Sequence, residues 1–244
     1  MEKKRADVLL VERGFFESRA KARAAIEAGR VFVHGRPVAR AAELVETDAV
    51  IEAEAAHPWV GRGALKLVHA LDLWPIAVDR RVALDVGAST GGFTEVCLAR
   101  GAARVYAVDV GQGQLHPRLA ADPRVVSLEG VDARRLDAGL VPQPPGLVVC
   151  DASFIGLSKV LPAALALALA GADLVALVKP QFEAGPDAVG KGGLVKDPEV
   201  RAAALSGAKT FLEESGWRVM ADAESPIAGG DGNLEFLVWA RKGG

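Results

Sequence analysis

The sequence predicts an α/β protein built on a doubly wound, mostly parallel seven-stranded sheet, with a small α/β domain ahead of it. Three observations predict it. From residue 81 onward, short apolar runs alternate with helical patterns, as strand–helix units require. A glycine-rich turn joins the first of these strands to its helix. Charge also shifts abruptly along the chain. Residues 1–40 carry ten Lys/Arg against five Asp/Glu, whereas residues 41–56 carry five acids and no base.

The first domain is expected over residues 1–56. Arg5 to Arg13 reads as a short amphipathic helix ended by Gly14. Ser18 is the expected N-cap of a second helix, with Ala22, Ala25 and Ile26 facing inward and Gly29 past its end. Val31-Phe32-Val33, a turn at His34-Gly35-Arg36-Pro37, and Val50-Ile51 supply short strands. Arg19 and Arg23 lie one helical turn apart and share a face; Arg30 and Arg36 follow in the adjoining turns. The net charge of −2 is unremarkable for a whole chain, but the N-terminal surplus of ten bases over five acids marks where a phosphate-contacting face is expected.

His57-Pro58-Trp59-Val60 reads as a linker, taken to residue 61, before a second domain over 62–244. A helix is expected from Arg62 to Leu73, with Leu65, Val68, Leu71 and Leu73 on one side and Arg62, Lys66 and His69 on another, ended by Trp74-Pro75. Strands are expected at 82–86, 104–109, 125–128, 147–150, 174–178, 217–222 and 234–240, and helices near 91–100, 114–121, 157–170 and 199–215. The loop from Ser225 to Asn233 is too short for a crossover helix, so the last two strands should pair antiparallel.

Several function classes are excluded. Cys97 and Cys150 form neither a disulfide framework nor a metal-ligand spacing, and their apolar surroundings suit inert core thiols. No metal site is expected. The basic N-terminus has no apolar segment behind it and is not read as a signal peptide. The apolar stretch Val160–Val178 is broken by Pro162 and by Gly171-Ala172-Asp173, which suits a buried helix, a turn and a buried strand better than a membrane span. A cytoplasmic protein is expected.

The turn after Val82-Ala83-Leu84-Asp85-Val86 runs Gly87, Ala88, Ser89, Thr90, Gly91, Gly92, Phe93. Its G-x-x-x-G-G spacing lacks the middle glycine of the dinucleotide fingerprint and the Gly-Lys-Ser/Thr of a phosphate loop. Asp109 ends the second strand, where a carboxylate can accept ribose hydroxyls, and Asp132 follows the third. Four further charges, Lys66, Asp151, Lys179 and Glu235, sit where apolar elements end or are interrupted, a costly placement unless each is paired or working.

These stretches resemble known families. The segment "SRAKARAAIEAGRVFVHGRPV" resembles the small RNA-binding fold named after ribosomal protein S-four. "LDVGASTGGFT" resembles motif I of Rossmann-like S-adenosylmethionine (SAM) methyltransferases, with Asp132 at the position that reads the adenine edge. The order Lys66–Asp151–Lys179–Glu235 is similar to the active-site pattern of RNA ribose 2′-O-methyltransferases of the FtsJ type. With "GRGALKL", "VVCDASFI", "LVKPQF", "GKGGLVKD" and "GNLEFLVWARK", the whole chain resembles the TlyA family of rRNA methyltransferases, whose members are often labelled haemolysins. Gly61 and Ala64 replace a serine and a glycine usual in the family's first motif.

The resemblance implies SAM as methyl donor, bound by the glycine turn, Asp109, Asp132 and Asp151. It implies methylation of the 2′-hydroxyl of a cytidine ribose in small- or large-subunit rRNA, with rRNA or a ribosomal subunit as partner. A ribose hydroxyl must lose its proton during attack, and lysine can take it only in its neutral form. Lys179 is assigned as the base and Lys66 as the neighbouring cation that holds the target. Carboxylates favour the charged form of an ammonium, so Asp151 and Glu235 should chiefly orient the lysines. Arg62, Lys191 and Lys196 join Arg19, Arg23, Arg30 and Arg36 as expected RNA contacts.

Other readings fit less well. A base N-methyltransferase would carry Asn/Asp-Pro-Pro-aromatic where this chain has Asp151-Ala152-Ser153-Phe154. A carbon methyltransferase needs a nucleophilic cysteine, and strand alternation turns Cys150 away from Asp151. A pore-forming haemolysin would need a membrane-spanning or amphipathic segment, and neither is evident; a non-catalytic RNA-binding protein is the other alternative.

Overall fold

A computed structural model describes residues 2–185, 188–229 and 231–244. The chain divides into two units, Met1–Pro58 and Trp59–Gly244.

In the first unit β1 (Lys3–Arg5) leads into α1 (Ala6–Glu12), and α2 (Arg19–Glu27) starts at Ser18, whose hydroxyl accepts the Lys21 N–H. β2 (Val31–Val33) and β3 (Arg36–Pro37) form a hairpin through His34 and Gly35, both at positive φ (50° and 73°), the conformation that two-residue hairpin turns favour. β4 (Leu44–Glu46) pairs with β1, and β5 (Ile51–Ala53) with β2, all antiparallel. The core gathers Leu9, Leu10, Ala22, Ala25, Ile26 and Val31. β1 and β4 are absent from the sequence expectation, because Lys-Lys-Arg has no strand composition and is held only by its partner.

Asp7 is fully buried at the start of α1 and takes both Arg5 and Arg19, with Arg19 Nη2 at 2.8 Å from Oδ2. Hydrogen bonds from Arg5 outweigh burial, with Arg19 adding to them, and hold its carboxyl down at about 2.

The second unit opens with α3 (Ala64–Leu73), then β6 (Val82–Val86), α4 (Gly92–Ala99), β7 (Arg104–Asp109), α5 (Pro117–Ala120) and β8 (Val125–Glu129). β9 (Leu147–Cys150), α6 (Leu157–Val160), α7 (Pro162–Leu167), β10 (Asp173–Val178), α8 (Pro180–Glu183) and α9 (Pro198–Glu214) follow, and β11 (Trp217–Glu224) and β12 (Phe236–Lys242) close it. The seven strands form one sheet in the order β11-β12-β10-β9-β6-β7-β8. β10, β9, β6, β7 and β8 run parallel, while β12 is antiparallel to both β10 and β11. The doubly wound sheet therefore stands as expected, including the antiparallel final pair. Successive residues of β10 alternate between the two core faces: Val175 and Leu177 on one, Leu174, Ala176 and Val178 on the other.

Four local expectations need correction. The helix expected near 157–170 is two short ones, because Pro162 has no N–H to continue the ladder. The helix expected near 114–121 shrinks to α5, because the Gln114 and Leu115 N–H groups donate to Glu129 instead (2.6 and 3.0 Å). The inward face of α3 is Ala64, Leu67, Ala70 and Leu71, with Lys66 among them, while Leu73 is exposed. Glu235 stands one residue before β12, not within it.

Trp59 and Val60, read from sequence as linker, belong to the second unit, where Val60 is buried and donates its N–H to Glu95 (2.6 Å). The loop between β11 and β12 includes Gly230, which lies outside the described residues. Among the described residues, no helix is long and apolar enough to cross a membrane.

Candidate active site

The carboxyl ends of β6, β7, β9 and β10 meet at one edge of the sheet, the edge where such folds bind ligands. After β6 the chain turns sharply, and the Gly87 and Ala88 N–H groups both donate to the Val108 carbonyl. A Cβ on Gly87 would come within 2.8 Å of Ala152 Cα, so only glycine lets the turn pass the end of β9. Asp109 receives the Ser89 N–H on Oδ2 (2.7 Å) and the Gly111 N–H on Oδ1 (2.8 Å). Each oxygen keeps accepting capacity for a further donor.

A cavity of about 550 Å³ lies beside Asp109, with Val110, Val131 and Ile155 as apolar walls and Asp132 at its rim. Asp132 is committed to Arg134, whose hydrogen bonds hold its carboxyl at about 2, and it caps the following turn. A second cavity of about 300 Å³ shares Gly87, Ser89, Asp151, Ser153 and Phe154 with the first. Ala88, Thr90, Gly92 and Phe93 line this second cavity; Gly91 lines neither, since its Cα packs against Leu115 and Leu119.

Lys66, Asp151, Lys179 and Glu235 converge on the second cavity from four separate elements. They form a row. Lys66 Nζ donates to Glu235 Oε2 at 2.6 Å and lies 3.8 Å from Asp151 Oδ2. Lys179 Nζ lies 2.6 Å from Asp151 Oδ1, and its directed hydrogen bonds go to the Asp151 carbonyl (3.1 Å) and Ser153 Oγ (2.9 Å). Both lysines and Glu235 are buried (6%, 7% and 2% exposed), so each charge stands only because the others are present.

Glycines deliver the first lysine. A Cβ on Gly63 would approach Asp151 Oδ2 to 3.1 Å, and one on Gly61 would approach Thr90 Oγ1 to 2.8 Å. The start of α3 therefore presses against the glycine turn and Asp151, which carries Lys66 into the row one turn later.

Several site residues were not foreseen. Ser153 completes the Lys179 environment, and it follows Asp151 by two positions, a signal too short to read alone. Phe154 is 89% exposed at positive φ, lines both cavities and touches the Phe182 ring. Asp85 is fully buried beneath the turn, where Thr94 donates to its Oδ2 at 2.7 Å. Burial pushes its carboxyl up to about 7, Thr94 opposing and the Asp151 charge adding to the rise. Cys150, packed in the core, is raised to about 12 by burial, which leaves no thiolate for covalent chemistry.

The basic residues divide by their partners. Arg19 is spent on Asp7, Arg36 pairs with Glu43 (2.8 Å) and Arg30 with Glu54 (3.4 Å). Among the described residues Arg23 has no acidic partner, and neither do Arg62, Lys191 and Lys196, all exposed. Of these, Arg62 lines the second cavity, beside Lys66.

Residues 59–242 match the model of the FtsJ-like methyltransferases, and residues 4–51 match the S4 domain. A protein of Mycobacterium tuberculosis named 16S/23S rRNA (cytidine-2′-O)-methyltransferase TlyA is 47% identical over 97% of this chain and 89% of its own. "Hemolysin A" of Brachyspira hyodysenteriae is 38% identical over 96% of this chain and 98% of its own. A solved structure from Streptococcus thermophilus, titled as a hemolysin, superposes with a TM-score of 0.78 at 38% identity, over 100% of this chain and 90% of the other. Two family models and a relative at nearly half identity agree on both halves of the chain, which belongs to the TlyA family: an S4 domain followed by an FtsJ-like methyltransferase domain.

Proposed function

We propose that the chain transfers a methyl group from SAM to the 2′-hydroxyl of a cytidine ribose in ribosomal RNA. The observation that carries this reading is the row Glu235–Lys66–Asp151–Lys179 beside the cavity bounded by the glycine turn and Asp109. The name of the M. tuberculosis relative supports the substrate.

The residues suit SAM. Asp109 can accept ribose hydroxyls, the apolar walls at Val110 and Ile155 suit a flat base, and the glycine turn leaves room for the amino-acid end. When bound, SAM supplies an activated methyl group, so the remaining work is to place the hydroxyl and remove its proton. Lys66 faces two carboxylates and Lys179 one, which assigns charge-holding to Lys66 and proton acceptance to Lys179. Asp151 and Glu235 fix both ammonium groups, and burial excludes water from around them. Phe154, an exposed aromatic at the cavity mouth, is suited to an unstacked base.

Labelled SAM incubated with small or large bacterial subunits should give incorporation that survives alkaline hydrolysis as a ribose-methylated dinucleotide at a cytidine. SAM binding without incorporation into either subunit would sink the substrate assignment.

RNA contact is assigned to the first unit, and the structure shows which residue can test it. Arg19→Glu would set a second carboxylate against Asp7 and disturb the domain itself. Arg23→Glu leaves that hub intact. It should weaken rRNA affinity by a few-fold or more and reduce the slope of log affinity against log salt by about 1. Unchanged affinity and slope would remove this face from the interface.

A further inference from the structure

Among the described residues, the buried charged and amide side chains are nearly all accounted for, while the Tyr106 hydroxyl and Trp217 Nε1 lie buried without a hydrogen-bond partner. Asp7 and Asp173 anchor arginines, Asp85 and Thr94 bond each other, and Lys66, Lys179 and Glu235 belong to the row. Asn233 remains, 2% exposed and two residues before Glu235.

We propose that Asn233 is a positioning residue for methyl transfer, whose side-chain amide ties the turn around Gly193 to the turn that seats Glu235. Asn233 Oδ1 accepts the Val195 N–H at 2.9 Å, and Nδ2 donates to the Gly193 carbonyl at 2.8 Å. Only one amide orientation satisfies both partners, so the side chain is held at both ends. Each turn closes on itself: the Gly190 N–H donates to the Leu194 carbonyl and the Gly229 N–H to the Asn233 carbonyl, both at 2.9 Å.

The second turn presses on the catalytic carboxylate. A Cβ added at Gly229 would collide with Glu235 Oε1, while Glu235 Oε2 holds Lys66 at 2.6 Å. Glu235 stands one residue outside β12, where its carbonyl takes the Ser225 N–H just past the last β11–β12 pair; its backbone is held from that side, and its carboxylate abuts the preceding turn at Gly229. The Gly193 turn also carries Lys191, which places an exposed cation on the body that steadies Glu235. Loss of the Asn233 amide should leave the glycine turn and Asp109 untouched but loosen Glu235, and with it the lysine that holds the target.

The inference rests on the four-residue reading above, and a double-mutant cycle separates the two. Turnover, rRNA KM, SAM affinity and thermal midpoint would be measured on the full chain for Asn233→Ala, Glu235→Gln and the pair. Asn233→Ala should lower kcat by about 10- to 100-fold, the scale for a misplaced catalytic group. SAM affinity should stay within about two-fold. Because Asn233 acts through Glu235, the pair should turn over no more slowly than Glu235→Gln alone. A pair slower by the product of the two single effects would overturn the proposal, as would wild-type kcat in Asn233→Ala. So would a loss of SAM affinity alongside kcat, the mark of a general structural role. Wild-type turnover in Glu235→Gln would instead defeat the four-residue reading, and the inference with it. Should Asn233→Ala fail to fold, Asn233→Asp takes its place in the cycle. It keeps the Val195 bond, loses the donor to Gly193 and should give a smaller loss of kcat under the same criteria.

Discussion

Lys179→Ala is expected to lower methyl transfer by on the order of 10²–10⁴-fold, the range that a positioned general base supplies. SAM affinity should change little, because Lys179 touches neither Asp109 nor the glycine turn; its partners are Asp151 and Ser153. Lys179→Arg separates base from fixed charge. Arginine keeps the cation and can still pair with Asp151, but it stays protonated and cannot take the hydroxyl proton. Both variants should therefore be inactive in a single-turnover assay with labelled SAM. Substantial turnover in the arginine variant would reassign Lys179 to holding charge, and substantial turnover in the alanine variant would remove it from the chemistry.

The largest expected effect on stability lies at the opposite end of the sheet. Asp173 opens β10 and is fully buried, and it accepts from Arg81 Nη1 (2.7 Å), Trp239 Nε1 (2.9 Å) and Arg241 Nε (3.0 Å). It thereby joins β10 to β12 and to the segment before β6. Asp173→Ala would leave a buried indole N–H and two guanidinium groups without their acceptor. Removing one partner of a buried ionic group costs about 3–5 kcal/mol. Arg81 and Arg241 are about a third exposed and can regain water, so about 2–4 kcal/mol is the expectation here.

All four tryptophans lie in the second unit, so fluorescence-detected urea unfolding reports on that unit without the first. Asp173→Asn, which keeps an acceptor for Trp239, should lose less. Burial raises the Asp173 carboxyl, but its three donors outweigh that and hold it below the usual carboxylate range. Its stabilisation is present above the unfolded pKa and lost as pH falls through the lower folded value, so both variants should flatten the acid side of the stability profile. An unfolding midpoint within error of wild type at neutral pH would show that the hub adds nothing.

Much of this was legible in the sequence, for local reasons. Strands β9 and β10 announce themselves because each is a continuous apolar run bounded by Gly, Pro or Asp, as buried parallel strands must be, while the antiparallel β11 alternates buried and exposed residues. Helix α2 is legible from Ser18 to Gly29 because cap, inward face and stop all lie within a dozen residues. The four charged positions, Lys66, Asp151, Lys179 and Glu235, are legible because a charge at the end of an apolar element is costly, and because their order resembles the active-site pattern of the FtsJ-type enzymes. β1 and β4 were not legible, since neither has a pattern of its own and each exists through the other. The split of the 157–170 segment turned on whether Pro162 would break a helix or start one, which propensity alone does not decide.

The sequence by itself determined the two-domain order, the doubly wound sheet and the four charged residues that would meet at its carboxyl edge. Those features follow from period, punctuation and the cost of burying charge, all of which act over short stretches of chain. Only the tertiary structure decided how these residues divide their labour. It set Arg19 on Asp7 rather than leaving it on an open face, gave Lys66 two carboxylates and Lys179 one, committed Asp132 to Arg134, and made Asn233 the tie beneath Glu235. Such pairings join residues up to 169 positions apart, and which partner a charge finds is fixed by packing in three dimensions, not by its neighbours in the chain.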